Sequence, residues 1–279
     1  MTADASAAAA SDVRGVHYRT HGSGEVGVVV LHPAFTDARV FDDLVAALQD
    51  RYRVVAIDLP GHGASAAVPA GADGPSLGDL PPILAEILDH EGLDAVHLVG
   101  ASLGGLVAQD VAQRRPERVR SLTAVGSYRI DDPIPARAQR FEMLRWLPMV
   151  LFAMGRFRRY VARVSTATEH GRQRFLAAAQ GFTRAGFRAM RGLPSPSQAS
   201  PPPACPVWIV VGEHDLPVVH AASRRWHEAD PATRLTIVPG AGHVVPLDAP
   251  TVFAEALLAW LAHVDRPRLD AERPAAGTS

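Results

Sequence analysis

The sequence predicts an α/β protein with a mainly parallel central sheet, helices on both faces and a helical insertion late in the chain. Three observations carry this. Short strand-like runs alternate with runs of helical spacing, those strand-like runs are apolar on both faces, and one stretch, 127–203, breaks the alternation.

Gly27–Leu31 (GVVVL) is a compact apolar run ended by a turn at His32-Pro33, and Phe41, Leu44, Val45 and Leu48 then recur at helical spacing. Arg53–Ile57 (RVVAI) is a second strand, closed by the turn-rich Asp58-Leu-Pro-Gly-His-Gly63; residues 64–76 form a loop of small residues. Leu80, Ile83, Leu84, Ile87 and Leu88 mark one face of a helix. Ala95–Val99, Ser121–Val125, Pro206–Val211 and Leu235–Val238 read as further strands, with a helix over Leu103–Gln113. The last helix carries Phe253, Leu257, Trp260, Leu261 and Val264 on one face, with Pro250 in its first turn.

Within the insertion, Ala136–Val164 and Gly171–Met190 read as helical, and the Pro/Ser-rich LPSPSQASPPPAC reads as a stiff linker. The expected organisation is a flexible tail over 1–13, a core from 14–126 and 204–264, a helical cap and linker over 127–203, and a second flexible tail over 265–279.

Composition narrows the class. At 279 residues, 47% hydrophobic and 20% charged, the chain is globular rather than disordered. A net charge of −1 gives no sign of nucleic-acid binding. Every basic side chain other than histidine is arginine. The single cysteine, Cys205, excludes an intramolecular disulfide and any cysteine-based zinc site, and is expected to be a buried, inert thiol. The alanine-rich start lacks the basic region of a secretory signal, and no run reaches the roughly 20 apolar residues of a membrane span, so a cytoplasmic monomer or homodimer is expected.

Chemistry concentrates in three places. Gly100-Ala101-Ser102-Leu103-Gly104 joins a strand to a helix by a turn that forces a serine up at the sheet edge. Small neighbours let the backbones approach, and the helix start favours developing negative charge there. A serine hydroxyl needs a base, and His243, held among glycines and prolines in Pro239-Gly-Ala-Gly-His243-Val-Val-Pro246, is the best of twelve histidines. The orienting acid belongs between them at a strand end, where Asp215 is preferred over the neighbouring Glu213. His214 has no partner at metal-ligand spacing, so no metal is expected.

Five motifs in order then resemble the α/β-hydrolase fold family, in the serine esterase, lactonase and C–C hydrolase branch with a helical cap. They are His32 with Phe41, Asp58-Leu-Pro-Gly-His-Gly-Ala-Ser65, the Ser102 turn, Gly-Glu-His-Asp215 and Gly-Ala-Gly-His243. The resemblance covers 14–126 and 203–264 and implies a cap inserted after the sixth strand. It also implies an oxyanion hole from the backbone N–H groups of Leu103 and Ala34, with Phe35 as the alternative to Ala34. The family's usual His-Gly is His32-Pro33 here, which is expected to reshape the oxyanion loop. His32 is expected to brace that loop and His62 to do loop work. Ser102 argues against haloalkane dehalogenases and epoxide hydrolases of this fold, which use an aspartate at that turn.

The expected activity is cleavage of a small-molecule carboxylic ester or lactone, with no cofactor. Alternatives are C–C bond hydrolysis or a lyase reaction on an anionic metabolite, or non-enzymatic binding as in hormone receptors of this fold. Phe35, Phe141, Trp146 and Val244 are the expected substrate-pocket residues. The stretch 136–191 holds twelve arginines against Glu142 and Glu169. Solvated helix faces explain this excess more simply than an anion-attracting lid, and docking of Trp146 and its neighbouring arginines on a membrane surface is the lesser expectation.

Overall fold

The computed structural model describes residues 9–66, 74–133, 136–193 and 202–272, with side chains for all but 136–143 and 267–272. The strands are β1 (Ala9–Val13), β2 (Val16–His21), β3 (Gly27–Leu31), β4 (Arg53–Ile57), β5 (Val96–Ala101), β6 (Val119–Val125), β7 (Val207–Gly212) and β8 (Arg234–Val238). The helices are α1 (Asp42–Leu48), α2 (Leu80–His90), α3 (Leu103–Arg114), α4 (Ala136–Phe152), α5 (Met154–Ser165), α6 (Glu169–Ala178), α7 (Gly186–Ala189), α8 (Pro217–Ala229), α9 (Val245–Asp248) and α10 (Pro250–Glu272). Short 3-10 turns occupy Ala38–Phe41, Gly63–Ala66, Leu77–Asp79 and Pro116–Arg118.

One eight-stranded sheet runs in the order β1-β2-β4-β3-β5-β6-β7-β8. All neighbours from β4 to β8 are parallel; the β1–β2 and β2–β4 pairs are antiparallel. Side chains alternate across the pleat, and so Val28 and Val30 face a core with α1, α10 and the insertion, while Val29 and Leu31 face a second core with α2, α3 and α8. Burial on both faces is why these strands are continuous apolar runs.

Two expected tails are corrected. Residues 9–13 are not a tail: β1 pairs with β2 from Ala9↔Thr20 to Val13↔Val16. Arg14 and Gly15 turn the hairpin with φ of 52° and 80°, the left-handed pair that a tight two-residue hairpin needs. Alanine and serine have little strand preference, so only the pairing edge of β2 makes this segment a strand. At the other end, α10 continues through the expected tail to Glu272, pinned by Asp265, which meets His97 and Arg120.

Helices α4 to α7 lie between β6 and β7. The expected single helix over Ala136–Val164 is broken at Ala153, whose φ of −150° and ψ of 62° are not helical. Segments 1–8 and 273–279 of the expected tails, and 194–201 of the expected linker, lie outside the described residues.

Candidate active site

Ser102 stands between the end of β5 and the first residue of α3, with φ 51° and ψ −112°. A left-handed φ on a non-glycine residue is strained by about 1–3 kcal/mol and persists only when its surroundings impose it. They do here. Its N–H donates to Val125 O at 2.8 Å, and its carbonyl accepts from Gly105 N at 2.9 Å and from Ser127 Oγ at 3.1 Å. A Cβ on Gly100 would lie 2.3 Å from Gly104 O, and one on Gly104 would lie 2.0 Å from Leu31 O. The glycines around Ser102 are therefore required by close approach, which packs the start of α3 against the end of β3.

The loops after β7 and β8 are zipped together. Glu213 N donates to Val238 O and His214 N to Ala241 O, each at 2.9 Å, and a Cβ on Gly212 would lie 2.0 Å from Gly242 O. This carries His243 onto Asp215, where its Nδ1–H donates to Oδ1 at 2.8 Å. Leu216 N donates to the same oxygen at 2.6 Å. The Asp215 side chain is fully buried. Burial opposes the imidazolium, but the charge of Asp215 and its hydrogen bond outweigh that, and the histidine is raised above its ordinary value.

The competing acid faces elsewhere. Glu213 is half exposed and accepts from Gly240 N at 2.9 Å, and His214 is exposed beside it. No group of three or more His, Cys, Asp or Glu side chains among the described residues is placed to hold a metal. Gly126, at φ 55°, joins the two halves: it follows Val125, the acceptor for Ser102 N, and a Cβ on it would lie 3.0 Å from His243 Nδ1. Serine, imidazole and carboxylate thus gather at the carboxyl edge of β5, β6 and β7.

The loop after β3 is built around a neutral histidine. His32 Nε2 accepts from Leu59 N at 2.9 Å, so the proton is on Nδ1, which donates to Pro33 O at 2.8 Å. Burial pulls His32 down to about 4. Thr36 Oγ1 donates to the same Pro33 oxygen at 2.8 Å. Pro33 therefore serves as an acceptor in a locked turn. Phe35, rather than a glycine, takes the left-handed position, at φ 70°. Ala34 lies half-buried between them, and Leu103, as the first residue of α3, has its N–H outside the helical ladder.

Asp58 organises the next turn, accepting Ala38 N at 2.9 Å and Ala64 N at 2.8 Å. His62 is fully buried and brought down to about 3, first by that burial and then by neighbouring His32, so it is neutral and no base.

Phe35 points into the insertion. Its ring meets Phe157 at 5.0 Å, Phe182 at 5.2 Å, Phe187 at 5.6 Å and Trp146 at 6.3 Å. The helices thus close over the loop after β3 through an aromatic cluster. Val244 is fully buried and donates from its N to Ser165 O at 2.9 Å, fastening the His243 loop to the end of α5. The side chain of Phe141 lies outside the described residues. Cys205 is half-buried rather than buried, its thiol pushed up to about 11 by the protein around it.

Sequence reading missed Asp248. Its Oδ2 accepts Gly242 N and Ala167 N, both at 2.8 Å, and its Oδ1 accepts Thr168 N at 2.9 Å and Thr168 Oγ1 at 2.7 Å. One carboxylate ties the residue before His243 to the start of α6. The only signal was its place in Val245-Pro-Leu-Asp248, five residues after the histidine.

Residues 28–256 match the pattern described as the Alpha/beta hydrolase family. The chain is 28% identical over 270 residues to a putative carbamate hydrolase of Variovorax paradoxus, covering 92% of this chain and 99% of that protein. In structure it is similar to a thermophilic esterase from Thermogutta terrifontis, with a TM-score of 0.77 and 20% identity over 92% of this chain and 99% of that one. It is also similar to the enol-lactonase from Burkholderia xenovorans LB400, with a TM-score of 0.72 and 18% identity over 91% of this chain and 100% of that one. With this topology, the strained serine turn and a match across most of its length, the chain belongs to the alpha/beta hydrolase family.

Proposed function

We propose that the chain is a serine hydrolase that cleaves carboxylic esters or lactones through Ser102, His243 and Asp215. The observation that carries the reading is the strained Ser102 turn set beside a histidine already hydrogen-bonded to a buried carboxylate. His243 takes the Ser102 proton as Oγ attacks the carbonyl carbon. Asp215 holds the tautomer that keeps Nε2 free to accept it, and stabilises the imidazolium. The N–H groups of Leu103 and Ala34 receive the oxyanion, each contributing about 3–4 kcal/mol in comparable sites. Collapse of the tetrahedral intermediate expels the alkoxide, which takes the proton from His243. Water then repeats the cycle on the acyl-enzyme and releases the acid. The aromatic cluster on Phe35 favours an apolar acyl group.

A carbamate is the second reading, favoured by the full-length similarity to the carbamate hydrolase. It offers the same carbonyl to the same groups.

The test is mass spectrometry after fluorophosphonate treatment, with turnover of p-nitrophenyl acetate, butyrate and octanoate and of a p-nitrophenyl carbamate alongside. A single adduct on Ser102, lost in His243→Ala, is expected together with ester turnover. Labelling without ester turnover moves the assignment to the carbamate or to C–C cleavage. Full ester turnover in Ser102→Ala overturns the nucleophile.

A further inference from the structure

Trp146, Met149 and Val150 of α4 pack inward. Over 144–152 its outward side is also apolar: Leu144 is 66% exposed, Leu147 39%, Leu151 48% and Phe152 85%. These residues follow the i, i+3, i+7, i+8 spacing of a single helical stripe, with exposed Pro148 among them. A helix apolar on both sides is unusual at a water-facing surface, and a contiguous exposed patch, unlike scattered leucines, marks an interaction site.

The neighbouring helix supplies charge. Phe157, Val161, Ala162 and Ser165 of α5 are buried, while Arg156, Arg159 and Arg163 are exposed on the opposite side at i, i+3, i+7. Among the described residues none of these three has a carboxylate partner. Arg159 and Arg163 line a groove of about 270 Å³ with Leu176 and with Arg172, which is held by Glu169 at 2.5 Å. Other arginines of the insertion are already engaged in structure. Arg158 donates to Phe182 O at 2.7 Å, and Arg184 to Val150 O at 2.7 Å and Leu151 O at 2.6 Å. Trp146 and Phe157 meet each other and the same aromatic centre at Phe35, and Arg145 of α4 lies over the Tyr160 ring of α5 at 5.4 Å, so the two helices lie side by side with their outward faces turned from that centre.

We propose that this outer face of α4 and α5 docks on an anionic phospholipid surface, with Leu144, Leu147, Leu151 and Phe152 entering the acyl boundary and Arg156, Arg159 and Arg163 meeting lipid phosphates. An apolar stripe beside a basic stripe is the pattern of a helix lying in a membrane interface. Charge also argues against a second copy of the chain as occupant, since pairing two such faces sets each arginine stripe against either the partner's arginines or its apolar stripe, with no carboxylate to meet it. Trp146, the residue expected from sequence, is turned inward and takes no part. The surface is independent of the bond cleaved at Ser102.

The test is flotation of the full chain with vesicles of phosphatidylcholine alone and of phosphatidylcholine mixed with phosphatidylglycerol, at low and high salt. Binding to the mixed vesicles is expected, weakened by salt. Each of Arg156→Gln, Arg159→Gln and Arg163→Gln should lower partitioning about fivefold. Phe152→Ser should lower it about tenfold or more. All four side chains are exposed, and unchanged melting temperatures and ester turnover would show that the fold is kept. Absence of binding, equal binding to neutral vesicles, or a dimer in solution dissolved by Phe152→Ser would each overturn the proposal.

Discussion

Ser102, His243 and Asp215 gather at the carboxyl edge of the sheet, while Ser121, His97 and Asp265 make a second chain of the same residue types near its amino edge. In the second, the Ser121 hydroxyl and His97 Nδ1 are 2.7 Å apart, and His97 Nε2 lies 3.2 Å from Asp265 Oδ1. The ring is therefore reversed: Nδ1 faces the acid in the first set and the serine in the second. Ser121 and His97 face each other in register on β6 and β5 and are fully buried, with the Tyr52 ring edge-on to His97 at 6.3 Å. Ser102 instead follows β5, five residues and about 17 Å of strand from His97. It carries the strained backbone and is open enough to be reached. Arg120 lies 3.3 Å from Asp265, a second counter-charge that Asp215 lacks among the described residues. Residue types alone do not make a reactive site. A turn that lifts the serine off the sheet, and a carboxylate whose charge is spent on one imidazole, separate a candidate engine from a clamp on α10.

The sharpest way to break this comparison is alanine at each serine. Ser102→Ala should lower p-nitrophenyl ester turnover by about 10⁴–10⁶-fold with the melting temperature nearly unchanged. Ser121→Ala should leave turnover at the wild-type level; equal losses would erase the distinction. Asp215→Asn should lower kcat about 10⁴-fold, with circular dichroism unchanged, whereas Asp265→Asn should not change kcat.

A pH profile sharpens it further. His243 must be neutral to act as a base and is raised above 6.5, so kcat/KM should rise with pH through a midpoint above 6.5. In residual activity of Asp215→Asn that midpoint should move down, because burial then acts without the carboxylate.

Stability is where the second array should answer. Burial raises Asp265, but His97 and Arg120 outweigh it and hold the acid below its ordinary value. Its contribution is therefore present above about pH 4 and lost as the pH falls through the lowered value. Asp265→Asn should cost about 1–3 kcal/mol in urea unfolding at pH 7, and the deficit should shrink near pH 3. The smallest effect belongs to Glu213→Gln, whose half-exposed carboxylate should change kcat less than about twofold.

Strands β3 and β4 were legible to the residue, because a run apolar on both faces bounded by turn residues has one reading. The same holds for α2, whose five expected apolar positions are all buried. The hairpin of β1 and β2 was not legible, since Ala9–Val13 carries no strand signal of its own. The choice between Glu213 and Asp215 was only weakly readable at a separation of two residues; the backbone after β7 turns one outward and the other onto His243. The insertion was legible as helical but not as two-sided. Its periodicity does not say that Trp146 stacks on Phe187 at 5.8 Å while Phe152 faces out.

By itself the sequence determined the alternating architecture, the insertion and the three turns that carry the candidate residues, because those depend on local pattern: apolar runs, tight turns and glycines that only close approach requires. Tertiary structure decided the rest. It set the tautomer of His32, since Leu59 N must reach Nε2 from another strand's loop. It made Asp248 the tie between the His243 loop and α6, and it drew His97, Ser121 and Asp265 from 168 residues apart into one buried clamp. Hydrogen bonds between segments distant in sequence have no local signature, so their partners exist only once the chain has packed.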